Sequence, residues 1–155
     1  MDAVVLVTRY TYGERLFRGA CLHAANLSGV NLQQADLQRS DLSGADLTGA
    51  NLSGANLTQA NLTNADLSGA DLRSANLTEV NLIGADLSGA RLGRADLSGA
   101  DLRGAILSGA DLTGATLTGV NLEGAELEGV NLADCELDLM ADCSGMGRHW
   151  LSWAG

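Results

Sequence analysis

The stretch Ala65–Ala90, ADLSGADLRSANLTEVNLIGADLSGA, decides the fold. It places Leu67, Leu72, Leu77, Leu82 and Leu87 five residues apart. On an α-helix a step of five advances about 140° beyond a full turn, so these leucines would spiral over the whole surface. On a flat strand, where side chains alternate faces, every second leucine would point to water. A chain that turns a corner once per unit keeps all of them on one side. Within each unit Ala precedes Leu by two residues, as Ala65 precedes Leu67, so the pair shares one face of a short extended segment.

The pattern runs without a gap from Leu22 to Leu137, 24 units whose centre is always Leu. Two residues earlier, 18 are Ala, the others being Val30, Ser40, Val80, Val120, Val130 and Cys135, so the second inward position is also apolar or small. The residue before Leu is Asn in nine units and Asp in nine, the residue after it is Ser or Thr in 13, and the last is Gly in 14. Gly tolerates positive φ, and Asn, Asp and Ser bond their local backbone, so A-(D/N)-L-(S/T)-G reads as a corner-bearing unit. A closed path of corners must rise to avoid itself, and its turns stack at about 4.8 Å, the spacing of hydrogen-bonded strands. The outcome is a solenoid in which each coil contacts only its neighbours. Each buried Leu contributes roughly 1.5–3 kcal/mol, much of it offset by chain entropy.

Composition agrees with such a core. Hydrophobic residues make up 46% of the 155 residues but aromatics only 3%, so the interior is built from small, uniform pieces. All nine cationic side chains are Arg, against 19 acids, for a net charge of −10. That balance argues against direct nucleic-acid binding, which needs clustered cations, and favours solubility and a basic partner. Cys21, Cys135 and Cys143 form no C-x-x-C and read as free thiols of a reducing compartment. The apolar run Ala3–Val7 is short for a secretory signal, and no stretch approaches the ~18 apolar residues of a membrane span. These features lead us to expect a cytoplasmic protein without membrane insertion.

The unbroken series of units over residues 20–138 closely resembles the pentapeptide-repeat family. The resemblance implies an all-β fold, a right-handed quadrilateral β-helix with four units per coil. The repeat would then fill about six coils, roughly 29 Å tall. The string Tyr10-x-x-Gly13-Glu14-Arg15-x-Phe17-x-Gly19-Ala20 resembles the lead-in of cyanobacterial members, in which a short helix caps the first coil. Tyr10 and Phe17 are thus candidate N-terminal cap residues, although Val4, Val5 and Val7 would also suit a capping strand. The expected organisation is a cap over residues 1–19, the β-helix over 20–138, and a C-terminal cap or tail over 139–155.

With four units per coil, residues 20 apart stack in columns. One column runs Asn26, Asp46, Asp66, Asp86, Ile106 and Glu126, and its neighbour ends at Glu128; Arg is absent from this face. Stacked like charges repel, so Asp46, Asp66, Asp86, Glu126 and Glu128 form a candidate docking face for a basic partner, unless the acids simply serve the local turn. A second face mixes Arg73, Arg91 and Arg94 with Asp71 and Asp111 and reads as self-neutralised. In the tail, Trp150, Leu151 and Trp153 offer apolar surface in an aromatic-poor chain. They fold over the last coil, dock a partner, or join two copies into a dimer.

No catalytic constellation stands out. Cys21 and His23 lack an oriented third group and a pocket. Without Lys there is no phosphate loop, no Cys/His spacing suggests zinc, and one carboxylate per layer gives calcium no cage. No cofactor is expected. The functional expectation is a non-enzymatic scaffold or protein–protein interaction module, an assembly, linker or regulatory subunit of a larger cyanobacterial complex, photosynthetic ones included. The alternative is a DNA mimic that inhibits DNA gyrase or another topoisomerase. Residues 20–138 carry 16 acids and five Arg, a net −11, against about 17 phosphate charges over ~29 Å of duplex. That branch of the family carries Phe at many centres, whereas every centre here is Leu.

Overall fold

The computed structural model describes residues 1–137. The chain enters through a helix, α1 (Ala3–Thr11), whose N-cap Asp2 accepts the Val5 N–H at 2.8 Å. The valine run is therefore helical. Its inward side is set by Leu6, which is fully buried, while Val4 on the other side is 74% exposed. Gly13 then reverses the chain with φ at 94°, a value few side-chain-bearing residues adopt.

From Leu16 onward the chain is a stack. Residue i meets residue i+20 in a single-residue parallel bridge, from Leu16 with Asp36 through to Thr116 with Glu136. Five residues per unit and a register of 20 give four units per coil, and the register advances six times between Leu16 and Glu136. The unit Arg15–Gly19, which the sequence pattern leaves in the lead-in, already follows this register. Phe17 N–H donates to Asp36 O at 2.7 Å and Gly19 N–H to Gln38 O at 2.9 Å, so coil geometry begins ahead of residue 20.

Hydrogen bonding explains the residue order within a unit. Asp66 N–H donates to Ala45 O one coil back at 2.9 Å, and Leu67 N–H to Asp86 O one coil ahead at 2.7 Å. Gly69 N–H reaches Ser88 O at 2.9 Å, and Ala70 N–H closes the corner on Leu67 O at 3.0 Å. The fifth donor, Ser68 N–H, takes Asp66 Oδ1 at 3.0 Å. All five amides are thus satisfied, as close coil stacking demands. The Oδ1 bond recurs at every one of the 18 Asn and Asp that precede a central Leu. Asn and Asp interchange here because each supplies that oxygen two residues before the amide.

The corner is left-handed whatever residue occupies it. Every fifth residue from Gly19 to Asp134 has φ between 55° and 71°, nine of them bearing side chains. Backbone strain of about 1 kcal/mol accompanies a side chain at such a φ. The Cβ of Gly49→Ala would meet nothing within 4 Å, so its cost is conformational alone. Gly49→Ala is expected to lower stability by about 1 kcal/mol and Ala24→Gly to raise it by a similar amount. Urea denaturation compares them; unchanged midpoints would show that corner φ does not limit stability.

The core is one continuous column of Leu and Ala, with Leu27–Leu107 essentially inaccessible at every centre. Ser40 replaces Ala without an unmet donor, because its Oγ donates to Leu37 O at 2.6 Å. Leu6 and Phe17 join this cluster at the N-terminal end, and Phe17 is 2% exposed. Tyr10 lies half-buried there and donates its hydroxyl to Gln33 O at 3.0 Å, while the Arg15 guanidinium stacks 3.7 Å from its ring centre. Toward the other end Leu122, Leu127, Leu132 and Leu137 are only half-buried.

Candidate functional site

The bridge register brings Asp46, Asp66 and Asp86 into one column, with Asn26 before them and Ile106 and Glu126 after. The three Asp are half-buried, while Glu126 and Glu128 are exposed. Each Asp already serves the local turn, accepting the N–H of Thr48, Ser68 or Ser88 at 2.9–3.0 Å. The Thr48 hydroxyl and N–H hold the Asp46 carboxyl below its usual range. The turn and the acidic surface are therefore properties of the same carboxylates: Oδ1 faces the backbone and Oδ2 stays available. Ile106 interrupts the charge, separating the three Asp from the two Glu.

The corner beside this column is Gly in every coil: Gly29, Gly49, Gly69, Gly89, Gly109 and Gly129. In the column Ser28, Thr48, Ser68, Ser88 and Ser108, which follows the central Leu on this face, no residue is larger than Thr48. The face is consequently flat as well as acidic. The other corners are not. On one, Arg39 Nε donates to Gln59 Oε1 at 2.9 Å and Gln59 Nε2 to Glu79 Oε2 at 2.6 Å, a relay stepping 20 residues at a time. The common spacing of 20 among Arg39, Gln59 and Glu79 is the trace of this relay in the sequence.

The mixed face is partly neutralised. Arg73 is bidentate on Asp71 at 2.9 and 2.7 Å, and Arg91 reaches the same carboxylate at 3.9 Å. Asp71 is held below its usual range, first by the hydrogen bond from Arg73. Arg94 makes no ion pair among the described residues. A shallow groove of about 560 Å³ runs along this face from Gln33 and Gln34 past Arg73, Gly93 and Arg94 to Thr113.

Cys21 and His23 lie exposed on the first coil, where His23 Nδ1 meets Ser43 Oγ at 2.8 Å. Among the described residues no three His, Cys, Asp or Glu side chains converge as metal ligands, and no helix is long and apolar enough to cross a membrane. Trp150, Leu151 and Trp153 lie outside the described residues.

A four-unit coil with a left-handed corner in every described unit, Asx-supported wherever Asn or Asp precedes the central Leu, defines a class of protein. The model for pentapeptide repeats matches residues 20–59, 55–94 and 95–134, and the chain belongs to that family. A pentapeptide repeat protein (Rfr23) from the cyanobacterium Cyanothece 51142 is similar at 36% identity and a TM-score of 0.58, covering 88% of this chain and 97% of its own. HetL of the cyanobacterium Nostoc sp. PCC 7120, a pentapeptide repeat protein involved in heterocyst differentiation regulation, is 33% identical with a TM-score of 0.51, covering 88% of this chain and 94% of its own. No curated protein sequence matches significantly.

Proposed function

We propose that the protein is a non-catalytic interaction module: a right-handed four-sided solenoid over residues 20–138, closed by a cap over 1–19 and continued by a cap or tail over 139–155. Tyr10 and Phe17 act in the cap, and Trp150, Leu151 and Trp153 are reserved for the end of the stack or a partner. One observation carries this reading. Asp46, Asp66 and Asp86 stand one coil apart beside an all-glycine corner, which leaves a flat acidic face open to a partner's cations. The likeness to cyanobacterial repeat proteins supports a partner within a larger assembly of such cells.

The test separates fold from surface. In the triple variant Asp46→Asn, Asp66→Asn, Asp86→Asn every turn bond keeps its Oδ1 acceptor, so thermal stability at neutral pH should stay within about 1 kcal/mol of wild type. Partner capture and crosslinking through this face should be lost. Capture that survives the triple change removes the face from the mechanism. Inhibition of supercoiling by gyrase at stoichiometric protein would instead favour the DNA-mimic reading.

Acid sensitivity follows from the same bonds. Asp41, Asp46 and Asp111 accept from the hydroxyls and N–H groups of Ser43, Thr48 and Thr113, which lower their pKa in the folded chain. The unfolded chain then binds more protons, so this stabilisation is complete above the ordinary carboxylate pKa of about 3.9 and disappears as pH falls through the lowered values. A variant with Asp41→Asn, Asp46→Asn and Asp111→Asn should lose less of its melting temperature between pH 5 and pH 3 than wild type does. An identical acid profile would mean that these carboxylates carry no such coupling.

A further inference from the structure

The fourth column of the stack runs Asn31, Asn51, Asp71, Arg91, Asp111 and Asn131. At five of these positions the Asx oxygen accepts the amide two residues on, including Thr113 N–H on Asp111 at 3.0 Å. At the remaining position Arg91 has no such oxygen, and among the described residues the Gly93 N–H meets no acceptor. Gly93 is also the only glycine that directly follows a central Leu, where 13 of the 24 units carry Ser or Thr, so the residue brings no side chain of its own over this amide. Gly93 lines the groove on this face.

Arg73, Arg91 and Arg94 outnumber Asp71 and Asp111 here, a local excess of positive charge in an otherwise acidic chain. Three of the five Arg within residues 20–138 gather here: Arg73 one coil back, Arg91 two residues before the amide and Arg94 directly after it. The Arg73 stem passes 3.8 Å from where a Gly93 Cβ would stand. Asp71 is shared between Arg73 and Arg91, and Arg94 makes no ion pair among the described residues. Thr113 O, 3.6 Å from where a Gly93 Cβ would stand, accepts the Arg94 N–H at 2.9 Å.

We propose that this notch binds an oxyanion, a carboxylate or phosphate group, which places one oxygen on the Gly93 N–H where the other units place their own Asx oxygen. Arg94 and Arg91 supply the countercharge, and charge-assisted hydrogen bonds of this kind are the strong ones. The site lies on a different face from the acidic column and does not depend on the reading of that face.

The experiment is amide NMR of the full chain titrated with sodium phosphate, and separately with sodium acetate, at constant ionic strength. A saturable shift centred on Gly93 is expected, larger for the dianion. Ser108 and Thr118 are internal controls: Ile106 and Thr116 likewise give them no Asx bond, but no arginine stands beside them. Arg91→Asp restores an Asx residue, supplies an internal carboxylate, and should weaken binding at least about tenfold. Arg94→Gln keeps the amide open and should weaken it severalfold. A response of Ser108 and Thr118 equal to that of Gly93, or full binding by Arg91→Asp, would overturn the proposal. Saturation by acetate alone would confine the ligand to carboxylates, and saturation by phosphate alone to phosphate groups; either outcome supports the site.

Discussion

Leu67→Ala is expected to destabilise the protein by about 2–5 kcal/mol, at the high end for its size. Leu67 is fully buried, with Leu47 and Leu87 in register on either side of it. The coils cannot close around the gap, because the spacing between them is fixed by main-chain bonds such as Leu67 N–H to Asp86 O at 2.7 Å. A cavity that cannot collapse loses its contacts outright. Leu132→Ala supplies the comparison. Leu132 is half-buried near the last described coil and should cost clearly less. Guanidinium denaturation of the two variants decides the matter; equal losses would show that the stack relaxes as readily in its middle as at its end.

Phe17→Ala is expected to cost about 3–5 kcal/mol and to act at a distance from its own unit. Phe17 is the only Phe in the chain and takes the place of a central Leu beneath α1. It packs in one cluster with Leu6 and Leu22, with Arg9 standing 5.9 Å over its ring. In a solenoid each coil is held by its neighbours, so loosening the terminal layer lowers the stability of the next one before the rest. Hydrogen exchange should accelerate first at the Leu22 and Leu27 amides, while Leu77 and Leu82 retain their protection. Uniform acceleration along the chain would mean that the stack unfolds as one unit and that the end has no separate role.

What the residues disclosed beforehand follows from what repeats. The leucine period excludes helix and flat strand by geometry, and Asn, Asp, Ser and Gly mark corners by their local chemistry. Those deductions use only interactions within five residues. The register of 20 does not follow from that period, because any number of corners could close a coil; it entered through the likeness to a family. Once it is known, Asp46, Asp66 and Asp86 fall into one column. Two features could not be read from local chemistry alone: the N-terminal helix, expected only through the likeness of the lead-in string, and a bare amide. The helix over Ala3–Thr11 rests on Leu6 entering the core and on the Asp2 cap, whereas its valines taken alone suit a strand equally. The bare Gly93 amide is the lack of a bond, visible only once Asx bonds are seen at all the Asn and Asp positions. In hindsight Arg91 at an Asx position, followed by a glycine two residues later, is its written trace.

The bridge register also gives every surface residue an address, its number modulo 20. Removing 20 residues deletes one storey and leaves every later side chain on its own wall. Removing five leaves the interior equally well filled, since each unit offers the same Leu, but rotates everything downstream by a quarter turn. Deleting one unit between Asp66 and Asp86 would thus bring Arg91 into register with Asp66, within the acidic wall. Chain length between units, rather than the identity of any one residue, is the variable that mutation would have to conserve to keep a binding face in one piece.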